Sequence, residues 1–392
     1  MKIRTIADGI FSVGAVDWDR RLFDSLIPLP EGTSYNAYVI RGGSKNALAD
    51  TVDPSMAHVL LENLKSFPKI DYVIAHHGEQ DHSGVIPEVL ANYPEAKVVT
   101  TPKCKDILID HLHVSPEKFV TVNDGDVIDL GGRTLQFIHT PWVHWPETMC
   151  TYLKEDKILF SCDFFGSHLA SSEIYAENEN EVYRGAKRYF AEIMMPFSAQ
   201  IKGNLEKLKA FEIKMIVPSH GPVYNRPRFI IEAYRDWVFN GPGNIAVVAY
   251  VSMHGSTALM VERLVNVLAE KGVRVKQFNL PVSDIGELAG ALVDAATVVI
   301  GTPTVLAGPH PQAVYAAYLA NALRPAVKFV SIVGSYGWGG RAVETLAAMI
   351  PNLKAEVIPP VLCKGRPREA DYKAVEELAE KIAAKHREAG LK

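Results

Sequence analysis

Beyond Gly241-Pro242-Gly243 the sequence alternates apolar, β-branched runs with amphipathic helical stretches, and this alternation restricts that part of the chain to very few folds. Ile245 to Val251 is continuously apolar, as a strand buried on both faces requires. The pattern predicts a helix from Thr257 to Glu270 and strands over Val273 to Leu280, Thr297 to Ile300, Val327 to Gly334 and Ala355 to Pro359. An amphipathic helix from Tyr372 to His386 follows. Strands alternating with helices in this way predict a doubly wound α/β domain with a parallel sheet. Proline and glycine end the preceding helical stretch, Phe229 to Phe239, so two domains are expected, 1–240 and 241–392. A chain of 392 residues also exceeds what one hydrophobic core usually serves.

The first part is less regular. Short strand-like stretches (Tyr38 to Ile40, Tyr72 to Ile74, Lys97 to Val99, Thr134 to Ile138, Ile158 to Phe160, Met215 to Val217) are separated by Gly, Pro and Asp. A long helical insert is expected from Glu179 to Phe211. Together these predict a mixed α/β sandwich. The formal net charge of −4 argues against a nucleic-acid partner. No apolar run approaches the ~18 residues of a membrane span, and the first residues lack the apolar core of a secretory signal, so the cytoplasm is the expected compartment. Cys104, Cys150, Cys162 and Cys363 form no Cys-x-x-Cys pair and are expected to be reduced and mostly buried. A one-electron donor of the iron–tetrathiolate type must then be a separate molecule.

Chemistry concentrates at strand ends. The buried run Tyr72-Val73-Ile74-Ala75 enters a loop holding His77, Glu79, Asp81 and His82, and burying four such groups without a partner costs several kcal/mol. A metal is the economical partner. His144, Asp163 and His220 each follow another predicted strand and precede a turn, so residues distant in sequence are expected along one sheet edge. In the second part, Ser252-Met253-His254-Gly255-Ser256-Thr257 opens a helix with hydroxyls and free N–H groups, an anion cradle with no lysine. Two more loops follow later strands: Thr302-Pro303-Thr304, continuing to Gly308, and Ser335-Tyr336-Gly337-Trp338-Gly339-Gly340. A hydroxyl-rich cradle beside aromatic and backbone surface suits the phosphate and ring of FMN. The dinucleotide fingerprint Gly-x-Gly-x-x-Gly is absent.

The order and spacing of the metal motif resemble the metallo-β-lactamase superfamily, and specifically its flavodiiron branch, the A-type flavoproteins. The hydrolytic branch carries a second histidine where this chain has Glu79, and an added carboxylate makes the site harder and more anionic, which suits iron. The resemblance implies a metallo-β-lactamase-like αβ/βα sandwich followed by a flavodoxin-like doubly wound parallel sheet. It implies two iron ions per chain: one held by His77, Glu79 and His144, one by Asp81 and His220, with Asp163 bridging. The role of His82 stays open, because that position ligates in some members only. His76 and His139 match no ligand position, and His168 is a candidate hydrogen-bond donor to substrate. The implied activity is reduction of dioxygen to water, nitric oxide to nitrous oxide, or both, with electrons passing through FMN from a rubredoxin, a flavin reductase or a reduced deazaflavin. A head-to-tail homodimer or a homotetramer is implied as well, because dimerisation in the family brings one subunit's flavin near its partner's iron. The alternatives are a zinc-dependent hydrolase with an appended flavodoxin domain, and an electron carrier or scaffold whose first domain has lost its metal.

Overall fold

The computed structural model describes residues 2–391, so Met1 and Lys392, the outer ends of the two expected ranges, lie outside it. The chain divides into two compact units, one from Met1–Phe190 and Phe197–Val238, the other from Ala191–Pro196 and Phe239–Lys392.

Among the described residues, the first unit holds two main sheets. One runs in spatial order β1 (Arg4–Ala7), β2 (Ile10–Ser12), β3 (Tyr38–Arg41), β4 (Asn46–Ala49), β5 (Tyr72–Ile74), β6 (Lys97–Thr100) and β7 (Phe119–Thr121). The other runs β8 (Val127–Asp129), β9 (Thr134–His139), β10 (Met149–Leu153), β11 (Ile158–Cys162) and β12 (Met215–Pro218). Side chains alternate across a strand, and two cores result. Leu48, Val73 and Val98 point away from the second sheet and pack with Leu60, Leu64, Val89, Cys104 and Leu108 of the covering helices. Ala47, Ala49, Ile74 and Val99 point inward and meet Leu135, Phe137, Leu153, Ile158, Phe160 and Val217. The unit is thus a helix-covered sheet packed on a second sheet.

The register decides where the candidate ligands fall. Strand β4 pairs parallel with β5, and β11 parallel with β12, so Asp50, His77, Asp163 and His220 all follow C-terminal strand ends. Strands β9 and β10 are antiparallel, with His139 opposite Met149, which puts the loop carrying His144 at the same end of its sheet as Asp163. A backbone bond from Met149 N–H to the His76 carbonyl (3.0 Å) joins the two edges.

Three expectations need correction. The insert from Glu179 is not one helix: α-helix Glu179–Tyr189 passes into a π-helical turn (Phe190–Met194) and a 3₁₀ turn (Met195–Phe197) before helix Ser198–Leu208. Pro196 has no N–H and its ring clashes with the preceding turn, so regular α geometry cannot run through it. Strand β10 was not expected, because its apolar pattern follows the His144 loop without a break. In the second unit the strand predicted over Ala355 to Pro359 is split: β17 (Glu356–Val357) and β18 (Val361–Lys364) both pair with the same neighbour. Pro359 and Pro360 cannot donate to the ladder between them.

The second unit's sheet runs β14 (Arg274–Asn279), β13 (Ile245–Tyr250), β15 (Thr297–Val305), β16 (Phe329–Tyr336), β17, and its pairings along this path are parallel. This 2-1-3-4-5 order is the flavodoxin-like arrangement, with its topological switch between β13 and β15. Helices Ser256–Glu270 and Glu369–Glu388 bury Met260, Leu264, Leu268, Leu378 and Ile382 against one face of the sheet.

Candidate metal centre and flavin cradle

The loop after β5 turns at once into a single helical turn, Gln80–Ser83, so Asp81 and His82 face inward beside His77. Its backbone is tied by Thr51 N–H to the His82 carbonyl (2.7 Å) and by the Ser83 hydroxyl to the Glu79 carbonyl (2.8 Å). Asp163 sits between two residues with left-handed backbone, Cys162 (φ 52°) and Phe165 (φ 71°). Such conformations cost about 1–3 kcal/mol each and persist where packing over-determines them. Here both residues are fully buried.

These elements bring two sets of side-chain atoms together. His77 Nε2 lies 3.1 Å from Glu79 Oε2 and 3.7 Å from Asp163 Oδ2; His144 Nε2 lies 3.2 Å and 3.5 Å from the same two oxygens. In the second set, Asp163 Oδ1 is 3.0 Å from His82 Nε2 and 3.4 Å from His220 Nε2, while Asp81 oxygens lie 3.4 Å and 3.1 Å from those nitrogens. Donors bound at ~2.1 Å to one ion stand about 3.0–3.5 Å apart across its coordination edges; the second set has this spacing, and the first departs from it only between His77 and Asp163. Each oxygen of Asp163 serves a different set.

The donors also lack other partners. Both carboxylate oxygens of Asp81 and of Asp163 and both ring nitrogens of His82 are buried without a hydrogen bond. Leaving such groups unsatisfied is costly, so the chemistry of the site fits a pair of cations. Without them, burial opposes charge on His77, His82 and His144, but the facing carboxylates outweigh it and raise these imidazoles to about 9, 10 and 10. Asp163 is held well below the usual carboxylate range: burial works against this, and the charges of the facing imidazoles, His82 foremost, prevail.

Several partners escape a reading of the sequence. Glu147 accepts from His77 Nδ1 (2.8 Å) and from the Gly78 N–H (3.1 Å), and the Ser34 carbonyl accepts from His220 Nδ1 (2.7 Å). Each bond leaves Nε2 as the free donor atom. Glu147 was visible in the motif His144-Trp145-Pro146-Glu147, but nothing in spacing says it faces a residue seventy positions earlier. His76 is fully engaged elsewhere, with Nδ1 on Asp50 (2.8 Å) and Nε2 on Thr151 (2.7 Å), and His139 Nε2 bonds the Val122 carbonyl (3.1 Å). His168 Nδ1 bonds the Thr33 hydroxyl (2.9 Å), and its ring packs on His220 (4.8 Å between centroids) and Phe23 (5.2 Å). Its Nε2 is buried without a partner, and burial followed by the His220 charge pushes it well below the usual histidine range.

In the second unit the first expected loop follows β13, whereas Thr302, Pro303 and Thr304 are the last part of β15 and Ser335 and Tyr336 the end of β16, both strands running further than expected. Ser252 Oγ accepts from Ala258 N–H (3.2 Å), shaping the first loop, and Gly255 supplies the left-handed turn (φ 87°) that opens helix Ser256–Glu270. Among the described residues the N–H groups of Met253, His254, Gly255 and Ser256 have no protein acceptor, which suits a phosphate. Thr257 and Ser335 hydroxyls bond each other (2.9 Å), joining the first loop to the third. Thr302 Oγ1 accepts from His310 N–H (3.0 Å), and β15 continues through Pro303 and Thr304 into a hairpin closed at Gly308. A Cβ on Gly340 would meet Thr304 Cγ2 at 2.4 Å, so only glycine lets these two loops approach. Tyr336, Gly337, Trp338 and Gly339 continue the third loop, with Trp338 81% exposed.

Comparison with known proteins agrees with both halves. The ODP family beta lactamase model matches residues 33–221, and the flavodoxin model matches residues 248–378. The nitric oxide reductase of Moorella thermoacetica is 36% identical over 392 residues, covering 97% of this chain and 98% of that protein. The anaerobic nitric oxide reductase flavorubredoxin of Escherichia coli is 32% identical over 390 residues, covering 96% of this chain and 81% of that protein. The structure of rubredoxin oxygen:oxidoreductase from the anaerobe Desulfovibrio gigas superposes with a TM-score of 0.95 at 29% identity, over 98% of this chain and 99% of that one. The chain belongs to the flavodiiron protein family.

Proposed function

We propose that this chain is an oxidoreductase that reduces dioxygen to water, nitric oxide to nitrous oxide, or both, at a pair of iron ions with electrons supplied through FMN. The observation that carries this reading is the division of Asp163: one oxygen faces His77, Glu79 and His144, the other faces Asp81, His82 and His220. In this assignment His77, Glu79 and His144 would hold one iron and Asp81, His82 and His220 the other, with Asp163 shared between them. Inclusion of His82 rests on its Nε2 standing as close to Asp163 as the other donors do. When bound, the iron pair supplies one-electron redox centres with Lewis acidity, and FMN supplies a two-electron store.

The protein's own groups do the remainder. Glu147 and the Ser34 carbonyl fix the tautomers of His77 and His220 so that Nε2 faces the metal. Glu79 adds negative charge that favours ferric over ferrous iron. His168, neutral and with only Nε2 left to bond, is the group assigned to orient a diatomic ligand by hydrogen bonding. Phe23 and Tyr189 pack on its ring and exclude water from that side. For FMN, the loop Ser252 to Thr257 is assigned to the phosphate; Thr302, Pro303, Thr304, Gly308 and the loop from Ser335 to Gly340 are assigned to the ring.

The names of the relatives support both gases and an external donor: one is a nitric oxide reductase, another a rubredoxin oxygen:oxidoreductase. A rubredoxin, a flavin reductase or a reduced deazaflavin is the proposed donor, and a head-to-tail homodimer or a homotetramer the proposed assembly. Among the described residues no helix is long and apolar enough to cross a membrane. Cytoplasmic residence is part of the proposal and is checked by cell fractionation.

The test is metal analysis together with steady-state consumption of dioxygen and of nitric oxide from one artificial donor. Two irons and one FMN per chain with turnover of either gas are expected. Two zincs and no gas consumption would instead mark a hydrolase.

A further inference from the structure

Aromatic rings in the first unit, tyrosine and tryptophan among them, form a path leading away from the candidate metal centre. Phe165 follows Asp163 by two residues, and its ring contacts Tyr234 (4.9 Å between centroids). Tyr234 contacts Trp237 (5.1 Å), and Trp237 contacts Tyr183 (5.5 Å). A second entry leads from His220 to Tyr189 (5.8 Å), whose neighbour Phe190 touches both Tyr234 (5.4 Å) and Trp237 (5.1 Å). Burial falls along the path: Tyr234 is fully enclosed, Trp237 is 8% exposed, and Tyr183 is part-exposed. The Trp237 indole N–H donates to the Tyr183 hydroxyl (3.1 Å), so the outermost pair is coupled through a hydrogen bond at the solvent side.

Packing alone does not ask for this composition. An aliphatic or phenylalanine core would fill the same volume, and the buried Tyr234 hydroxyl has no hydrogen-bond partner, which costs stability. What tyrosine and tryptophan add is the capacity to give up one electron, and rings in van der Waals contact pass that vacancy onward faster than it can attack a neighbouring side chain.

We propose that the Tyr234–Trp237–Tyr183 chain, entered through Phe165 and Tyr189, drains oxidising equivalents from the metal centre to the surface when reduced flavin is not available. The inference rests on the di-iron reading above. Two ferrous ions give two of the four electrons that dioxygen needs; without flavin, the other two must come from the protein. Oxidised iron plus hydrogen peroxide has the same electron count as ferrous iron plus dioxygen and two protons. The step therefore balances as hydrogen peroxide, Trp237, the Tyr183 phenol and one proton giving two waters, the Trp237 cation radical and the neutral Tyr183 radical. The phenol proton and one from solvent complete the two waters, and the iron returns to its starting state.

The experiment mixes the oxidised holoenzyme with hydrogen peroxide, freezes it within milliseconds for electron paramagnetic resonance, and maps stable oxidation products by peptide mass spectrometry. The iron-free protein serves as control. Aromatic radical and oxidation at Trp237 and Tyr183 are expected only with iron, with the yield at Trp237 at least tenfold above the control. In Trp237→Phe the tryptophan signal should vanish and damage move inward to Tyr234 and the metal loops, while donor-driven turnover is retained. Tyr234→Phe, which removes a hydroxyl with no partner, should lower the outer radical yield without altering iron content. Equal labelling with and without iron would overturn the relay, and so would unchanged damage sites in both variants. A wild-type protein that turns over gas yet shows no iron-dependent radical sinks the relay alone; one that binds no iron sinks the functional reading with it.

Discussion

A histidine offers a lone pair to a metal reliably only when its other ring nitrogen is held as a donor, and His77 is held by the buried carboxylate of Glu147. Glu147→Gln keeps the shape and an acceptor but removes the charge. Iron affinity is expected to fall about 10–100-fold, read by competition with a chelator; an unchanged affinity would mean that the Gly78 N–H contact alone orients the loop. A second expectation concerns protons. In the metal-free protein His77, His82 and His144 stand at about 9, 10 and 10, above their unfolded value near 6.5, so they stabilise the fold fully below pH 6.5. That contribution, on the order of a few kcal/mol for each imidazole, declines above pH 6.5 and is gone once pH has risen through 9 to 10. Thermal melting of metal-free protein should therefore drop across that window, and iron loading at neutral pH should release protons, measurable with an indicator dye. A flat profile and no release would mean that the imidazoles are neutral without metal. The candidate ligands stand out in the sequence because each lies in a loop or turn that follows an apolar strand. Glu147, Asp50 and Ser34 do not, because their roles depend on partners from 26 to 186 positions away.

At the scale of elements, the strand-to-loop junctions carry the function, and two of them store cost. The hairpin after β15 turns on Leu306 (φ 50°) and Ala307 (φ 61°), both left-handed, in a two-residue turn that Asn-Gly fits best. The double substitution Leu306→Asn with Ala307→Gly should stabilise the protein by about 1 kcal/mol, seen as a rise in Tm; a fall would show that the exposed Leu306 side chain has contacts of its own. Helix Glu369–Glu388 is anchored differently. His386 Nε2 meets the Thr297 hydroxyl (2.6 Å) and Nδ1 meets Asn244 (2.8 Å), and burial pushes the imidazole down to about 4. Its folded value lies below its unfolded one, so stability is retained above pH 6.5 and declines as pH falls toward 4. His386→Asn should flatten that acid decline in a melting series. Sequence periodicity located this helix and strands β13 to β16, since a long apolar alternation declares itself, but of the first unit's strands it missed the short β1, β2, β4, β7, β8 and β10. It failed where prolines sit inside a pattern, at Pro196 and at Pro359-Pro360, because hydrophobicity does not register a missing N–H.

For the whole molecule, the proposed metal ligands belong to one compact unit and the proposed flavin loops to the other, so each set can be altered without touching the other's residues. Asp163→Asn removes the bridging charge and should leave a protein that binds FMN and accepts electrons yet consumes no gas. Gly255→Val forces a β-branched residue into left-handed backbone (φ 87°) and should yield the converse, an iron protein without flavin. Mixing the two inactive proteins under conditions that exchange subunits tests the proposed head-to-tail dimer directly. Each hybrid contains one chain with iron only and one with flavin only. If electrons pass between subunits, a hybrid has one productive pair, and an equal mixture regains roughly a quarter of wild-type activity, since half the dimers are hybrids with half the pairs intact. If electrons pass within a subunit, no chain in the mixture holds both cofactors and activity stays at zero. Subunit exchange itself is verified by mass labelling of one parent, so a null result with confirmed hybrids rejects the intersubunit route.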